Sequence, residues 1–383
     1  MNNNELETKK RQRDATYFHY YSLLTHQQNM LQDMVRTSTY QKAILQNPQI
    51  YLNKTVMDVG AGSGILSYFA VKAGAKVIAV EASNMALKLQ KMIYSASQQH
   101  GIEAKNNWLD GNIKVINSKI EEVELPPNCI DTIISEPIGV FIVHERMVES
   151  FLYARDNFLK PGGTMVPSQA SLYLAPFTDT NLWGDTKLKT RFWEQSDFYG
   201  VDLTPLKQDA VDEQFSMPVI GYFDPQCLLL LPMEGYPMDF TTITMEQLKQ
   251  FEIPIHWKFE YTGIIHGIAS WFDLHFNVEN GNNFTMSTSP HSERTHWQQL
   301  RLLLKEPIAV NIGQSLQGSL KFEVNNMRSY NIEANITLYS KDNMPILKHQ
   351  FIWYLHEQTY NYNYLGPSLE LKPEQLGFYE SNN

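Results

Sequence analysis

One stretch limits what this chain can become more than any other. In Val56-Met-Asp-Val-Gly-Ala-Gly-Ser-Gly64 an apolar run enters three glycines at every second position, and a helical period leaves them. Glycines so placed let the backbone approach a ligand closely and take torsions that a Cβ forbids. The next apolar run, Lys76–Val80, ends at Glu81, twenty-one residues after Gly60, where a carboxylate can accept both hydroxyls of a ribose. The alternation continues. Helical patterns cover Ile65–Ala73 and Asn84–His100, strand patterns cover Ile113–Asn117 and Ile130–Ser135, and a helix Arg146–Phe158 stops before Lys160-Pro-Gly-Gly163. Strand and helix in turn call for a doubly wound parallel sheet of α/β class. A glycine cluster alone also suits a plain structural turn; strand, turn, helix, strand and acid in that order favour a nucleoside-type ligand.

Past Val166-Pro167 the pattern changes to short β-branched and aromatic runs separated by Gly, Pro and Asn: Ser171–Leu174, Lys258–Tyr261, Ile264–Phe276, Phe284–Ser287, Ser319–Val324, Ile332–Tyr339 and Phe351–Leu355. That spacing predicts an all-β sandwich or barrel. An aromatic-rich segment, Asp179 to Phe215, and a short helical candidate near Met245–Phe251 interrupt it. Ahead of the glycine turn, Tyr17, Phe18, Tyr20, Tyr21 and Leu24, then Met30, Leu31, Met34 and Val35, recur at helical spacing. The expected organisation is a loose leader over 1–13, a helical cap over 14–52, a nucleoside-binding domain over 53–166, a β-rich domain over 167–370 with an arm at about 179–215, and a tail over 371–383.

With 383 residues, 43% of them hydrophobic and 12% aromatic, the chain can bury a large core. A net charge of −10 argues against direct nucleic-acid binding and favours a basic partner or peptide. Cys129 and Cys227 stand about a hundred residues apart without histidine spacing, so neither a disulfide framework nor a metal site is expected, and a reducing compartment is the simpler reading. No apolar run is long enough to cross a bilayer, and neither a signal peptide nor a further N-terminal domain is expected ahead of Tyr17.

The segment Ser135-Glu-Pro-Ile-Gly-Val-Phe-Ile-Val-His-Glu-Arg-Met147 carries two acids nine residues apart, Glu136 and Glu145. Carboxylates facing one another across a loop repel unless a cation lies between them. A planar guanidinium, always charged and bearing five donors in a fixed fork, suits that space. Glu145 could instead be a helix-dipole acid at the start of the following helix. Glu136 has no such alternative, since an unpaired carboxylate beside an apolar strand is costly to bury.

The spacing G-x-G-x-G after Asp58 resembles the first motif of class I S-adenosylmethionine-dependent methyltransferases, with an NAD enzyme as the minor alternative because the third glycine comes one residue early for the dinucleotide fingerprint. Together with Tyr17-Phe-His-Tyr-Tyr21, Gln27–Thr37, the two-acid loop and Thr295-His-Trp297, the chain from about Tyr17 to Leu355 resembles the protein arginine methyltransferases. The wording of Arg36–Asn47, Ala175–Asp179, Tyr199–Leu203 and Gly263–Asp273 is closest to the coactivator-associated, type I branch. The resemblance implies a Rossmann-like class I methyltransferase domain with a helical cap, a β-barrel-like domain, and S-adenosyl-L-methionine as cofactor. The arm at 179–215 would make a homodimer. Gly60 and Gly62 would line the cofactor, Glu81 hold its ribose, Glu121 meet its adenine, and Arg36 pair with its carboxylate, with Gln27, Met147 and Ser150 as further contacts. Tyr17, Phe18 and Tyr21 would close over cofactor and arginine, although an ordinary amphipathic staple is the plainer alternative. Met30 and Trp297 would flank the substrate. Glu136 and Glu145 would clamp the guanidinium, and His296 beside Asp33 would relay a proton, although a His-Trp pair in a β-rich region also suits a core. The implied substrates are arginine-containing proteins such as histone tails or RNA-binding proteins, in nucleus or cytoplasm. Three departures stand out: Ile138-Gly-Val140 where the family typically has Met-Gly-Tyr, His144 for asparagine, and Ala61 for cysteine. A small-molecule methyltransferase and a non-catalytic scaffold for arginine-rich tails are the competing functions.

Overall fold

Strands β1 (Thr55–Val59), β2 (Lys76–Val80), β3 (Ile113–Ile116), β4 (Ile130–Ser135) and β5 (Leu159–Val166) form one parallel sheet in the order β3-β2-β1-β4-β5. The computed structural model describes residues 3–97, 107–109, 111–232 and 234–361. Central β1 and β4 are buried almost throughout, as expected for a parallel sheet covered on both faces. Helices α4 (Ile65–Lys72), α5 (Met85–Ser97) and α6 (Met147–Phe158) connect the strands. Strand order reverses at β1, with β2 on one side and β4 on the other. A crevice opens at the carboxyl ends of strands at such a switch point. Val59 and Ser135 are paired there, so the glycine turn and the two-acid loop leave the sheet side by side.

The N-terminal region is helical from Asn3: α1 (Asn3–Tyr21), α2 (Leu24–Gln32) and α3 (Met34–Leu45). This corrects the loose leader over 1–13. No glycine or proline occurs before Pro48, and Glu, Lys, Arg and Gln are good helix formers. Between α2 and α3, Asp33 is extended and its carboxylate accepts from the Arg36 N–H at 2.9 Å, capping α3.

Beyond Val166 the strands pair antiparallel, except where Thr359 and Tyr360 pair parallel with Val219 and Ile220. Strands β6 (Gln169–Phe177), β7 (Val219–Gly221), β8 (Tyr236–Asp239), β10 (Gly263–Phe276), β11 (Phe284–Ser287), β12 (Gln299–Val310) and β16 (Thr359–Tyr360) make one sheet; β9 (Gln250–Lys258), β13 (Ser315–Val324), β14 (Tyr330–Tyr339) and β15 (Pro345–Tyr354) make the other. The two sheets form the barrel and share one apolar core with the parallel sheet. Helices α7 (Thr180–Thr190) and α8 (Lys207–Ser216) form the arm, seated through Leu182, Val211 and Phe215 on a second cluster with Phe177 and Trp271. A short α9 (Met245–Lys249) precedes β9.

Strands β9 and β12 escape the sequence pattern because each contains proline. Pro254 is tolerated since β9 is an edge strand; Pro307 falls where the β10–β12 register shifts. Lys160-Pro-Gly-Gly163, read as a stop, is the first half of β5, also an edge. The strand expected over Lys258–Tyr261 is mostly the turn after β9. The end of the 167–370 domain, the tail over 371–383 and the last residues of the helix expected to His100 lie outside the described residues. Among the described residues no helix is long and apolar enough to cross a membrane.

Candidate active site

The glycine turn is built from backbone. Gly60, Gly62 and Gly64 have φ of 73°, 52° and 84°, and the Gly60 N–H donates to the Val80 carbonyl at 2.9 Å. Glu81 accepts from the N–H of Gly62 at 2.8 Å and of Ser83 at 2.7 Å, and each carboxylate oxygen keeps a lone pair. A Cβ on Gly60 would lie 3.0 Å from Met147 Cε, a tight contact at the start of α6, and the φ of 73° strains any side chain there. Gln27 joins the cap to the turn: its Oε1 accepts from the Ser63 N–H at 3.0 Å while its Nε2 donates to the Tyr21 carbonyl at 2.9 Å. Ser150 on α6 donates to Glu121 at 2.8 Å.

The two-acid loop is held differently. Phe141, Ile142, Glu145 and Arg146 are non-glycine residues with φ of 62°, 62°, 71° and 59°. Left-handed backbone at such residues costs on the order of 1 kcal/mol each, and strain of this kind gathers at functional sites. Glu145 therefore stands outside the helix proper, since α6 begins at Met147; the helix-dipole alternative loses its geometry. Gly139 allows a close pass of the loop over itself: a Cβ there would lie 2.3 Å from the His144 carbonyl oxygen.

Each acid has a partner. Tyr21 donates to Glu145 at 2.7 Å. Burial pushes the Glu145 carboxyl up; the Tyr21 bond and the Arg328 charge oppose this, and the charge of Glu136 adds to it. Glu136 is gripped by the Arg36 guanidinium through Nε and a terminal nitrogen. Arg36 was expected on the cofactor carboxylate; here it is the cation beside a partly buried Glu136. Burial also raises the phenols of Tyr17 and Tyr21, so both are neutral donors at the acids. Tyr17 lies between Phe18 and Tyr21, with ring centroids at 5.3 and 4.9 Å.

His296 and Asp33 meet, with Nδ1 2.8 Å from the Asp33 carboxylate, which also accepts the His296 N–H at 2.8 Å. Burial would raise the Asp33 carboxyl, but these bonds and that from Arg36 N–H hold it below its usual value. Trp297 is buried and its indole donates to the Ile138 carbonyl at 2.9 Å, so it braces the loop from behind where a substrate contact was expected. Met30 is half-buried, and its carbonyl accepts from Arg36 at 3.3 Å. Asp14, Arg328 and Ser329 escaped the sequence reading. Asp14 continues the helical period of Tyr17, Phe18 and Tyr21 and was findable; Arg328 and Ser329 sit in a turn without any periodic signal.

A model described as the arginine methyltransferase oligomerization subdomain matches residues 168–343, and one described as a methyltransferase domain matches residues 57–166. The crystal structure of Arabidopsis thaliana protein arginine methyltransferase 10, described as uniquely open, is 30% identical and superposes with a TM-score of 0.76 over 88% of this chain and 99% of its own. The chain belongs to the protein arginine methyltransferase family. A second family structure, the Trypanosoma brucei PRMT1 enzyme–prozyme heterotetrameric complex with AdoHcy, is 27% identical with a TM-score of 0.73, covering 87% of this chain and 99% of that one. Among curated family members, the probable histone-arginine methyltransferase CARM1 of Oryza sativa subsp. indica is 45% identical over 317 residues, 82% of this chain. This chain spans 58% of the length of that relative.

Proposed function

We propose that this chain is an S-adenosylmethionine-dependent protein arginine N-methyltransferase. The observation that carries the reading is the two-acid loop packed against α1, where Tyr21 holds Glu145 and partly buried Glu136 already binds a guanidinium, that of Arg36. A cradle that accepts one arginine side chain has the charge and planarity for another. The turn fits the cofactor on its own evidence: left-handed glycines crowded by the side chains around them, and a Glu81 carboxylate with lone pairs to spare. Gly60, Gly62, Glu81, Glu121, Gln27, Met147 and Ser150 would hold it. S-adenosylmethionine supplies an electrophilic methyl group on a sulfonium.

The chain's residues do the rest. Guanidinium is a poor nucleophile because its lone pairs are delocalised and it stays protonated. Glu136 and Glu145 draw the charge toward two nitrogens, leaving the third richer in electron density, and fix the plane of the group. Tyr21 holds the Glu145 carboxylate in place. Orientation and preorganised charge contribute most of the acceleration, several kcal/mol each on an order-of-magnitude scale. His296 takes the released proton at Nε2, since Nδ1 is committed to Asp33, whose carboxylate stabilises the imidazolium. The related rice protein is named a histone-arginine methyltransferase, and histone tails are the substrates to try first, ahead of other arginine-rich proteins, in nucleus or cytoplasm. Met30 and the branch resemblance favour asymmetric dimethylarginine. The arm exposes Leu188, Phe192, Tyr199, Val201 and Leu206, an apolar surface suited to a second copy of the chain.

Incubating the purified chain with cofactor and a panel of histone and glycine-arginine peptides, then reading products by mass spectrometry, tests this reading. Methylated arginine should appear, and Glu136→Gln should remove it while S-adenosylhomocysteine still binds. Undiminished turnover in that variant would take the clamp out of the mechanism; release of S-adenosylhomocysteine with a small molecule but no peptide would favour the competing enzyme class.

A further inference from the structure

The turn between β13 and β14 reaches both the cap and the two-acid loop. It is closed by Asn325, whose N–H donates to the Ser329 carbonyl at 2.8 Å and whose side chain accepts from the Met327 N–H at 2.8 Å. Arg328 sits in it with φ of 54°, a left-handed torsion that a non-glycine residue keeps only when its surroundings impose it. From there its guanidinium makes three close contacts and reaches the Phe18 ring at 6.0 Å. One terminal nitrogen lies 2.5 Å from Asp14 on α1. The other donates to the backbone carbonyl of Glu145 at 3.2 Å. The plane lies over the Tyr17 ring with Cζ 4.4 Å from its centroid. The neighbour, Ser329 Oγ, pairs with His144 Nδ1 at 2.8 Å, so successive turn residues grip successive loop residues. Burial holds the His144 imidazole down at about 4, so it adds no charge there. On the cap side, Arg13 donates to the Asn326 carbonyl and Asp14 also binds Lys119 at 2.6 Å.

We propose that Arg328 is a positioning residue that couples the docking of α1 to the setting of Glu145, so that the acid is correctly placed only when the cap is closed. The inference rests on the arginine-clamp reading of Glu145. One side chain spans three segments far apart in the sequence, and no other described residue contacts both α1 and the Glu145 backbone through charged hydrogen bonds. Fork geometry is what makes this work: a point charge could serve Asp14 or the carbonyl, but an arginine presents separate nitrogens to each. The groups facing the Glu145 carboxyl are Tyr17 and Tyr21 from α1, Arg328 from the turn, and Glu136 with Arg36 on it. Removing Arg328 takes away a nearby cation and leaves Glu136, so Glu145 should ionise at higher pH.

Arg328→Met keeps much of the stem and removes the charge; Arg328→Lys keeps the charge and removes the fork. With the full chain and an arginine-rich peptide, Met should lower kcat about tenfold or more and move the acid limb of the rate profile to higher pH. Lys should restore the limb. Hydrogen exchange at residues 14–21, measured with S-adenosylhomocysteine present, should speed up in both variants. An unshifted acid limb together with unchanged exchange in Met overturns the proposal, whatever happens to the rate. If Met fails to fold by circular dichroism, Lys decides alone: unchanged exchange at α1 overturns the coupling. A wild-type chain that methylates no arginine peptide counts against the functional reading instead, and exchange still reports on the coupling.

Discussion

The glycine turn and the two-acid loop start from paired residues, Val59 and Ser135, yet they are made in opposite ways. The turn takes its left-handed torsions at glycine, where they cost little, and apart from Gln27 its partners lie within about 20 residues, at Val80 and Glu81. The loop takes them at Phe141, Ile142, Glu145 and Arg146, and its partners are remote. Arg36 is 100 residues from Glu136, Tyr21 is 124 from Glu145, Trp297 is 159 from Ile138, and Ser329 is 185 from His144. Local bonds such as Gly139 N–H to the Ile142 carbonyl and Arg146 to Glu149 offset part of the strain in the loop, and remote tertiary contacts offset the rest. The half that would hold the cofactor is thus set by local chain geometry, and the half that would hold the substrate depends on the assembled protein.

That difference predicts separable damage. Gly60→Arg should have the largest effect, because its φ of 73° disfavours a side chain and Met147 already fills the space. We expect calorimetry to show S-adenosylhomocysteine affinity weakened by more than roughly a thousandfold, about 4 kcal/mol; retained affinity would make the turn merely structural. Gly139→Ala attacks the loop instead. Its Cβ would meet a backbone oxygen that cannot swing aside, so Glu145 must shift. A displacement near 1 Å at a reacting centre costs about a hundredfold, so kcat should fall by about that factor with cofactor affinity changed less than about threefold. Equal losses in both would erase the contrast. Trp297→Phe removes the bond to the Ile138 carbonyl, worth about 1 kcal/mol, and trims a ring that packs on Phe272 and His296. Here kcat should fall roughly fivefold, again without a change in cofactor affinity.

The same contrast explains what the sequence could disclose. Strands Thr55–Val59, Lys76–Val80 and Ile130–Ser135 are bounded by the residues their hydrophobic runs suggest, because a parallel strand covered on both faces is mostly apolar. The requirement that Glu136 have a cation was readable from electrostatics alone; which cation was not. Arg36 lies on a helix, three residues after its cap, and nothing in its neighbourhood points to residue 136. Trp297 could be read as an aromatic near the site but not as a brace, since its role depends on where β12 and the loop meet. Arg328 is the extreme case: a charged residue in an asparagine-rich turn looks solvated until the barrel carries it to α1 and Glu145.

Asp58 gives the smallest effect, and it tests the turn side. It lies on β1 fully buried; Ser67, nine residues on, donates to one oxygen at 2.7 Å, and the other oxygen has no partner. Burial raises its carboxyl to about 7, against about 3.9 in an unfolded chain. Between those values the folded state holds a proton that the unfolded state has released. The stabilisation is therefore complete below about pH 4 and is lost as pH rises through about 7. Asp58→Asn keeps an acceptor for Ser67 and has no proton to lose. Its melting temperature should gain on that of the wild type between pH 5 and pH 8, by about 3 °C, with cofactor affinity unchanged. Titrations shared by both proteins, including Glu145, cancel in the difference. A gap that does not vary with pH would mean that Asp58 is ionised in the fold, and that the turn, like the loop, depends on a distant charge to hold its acid.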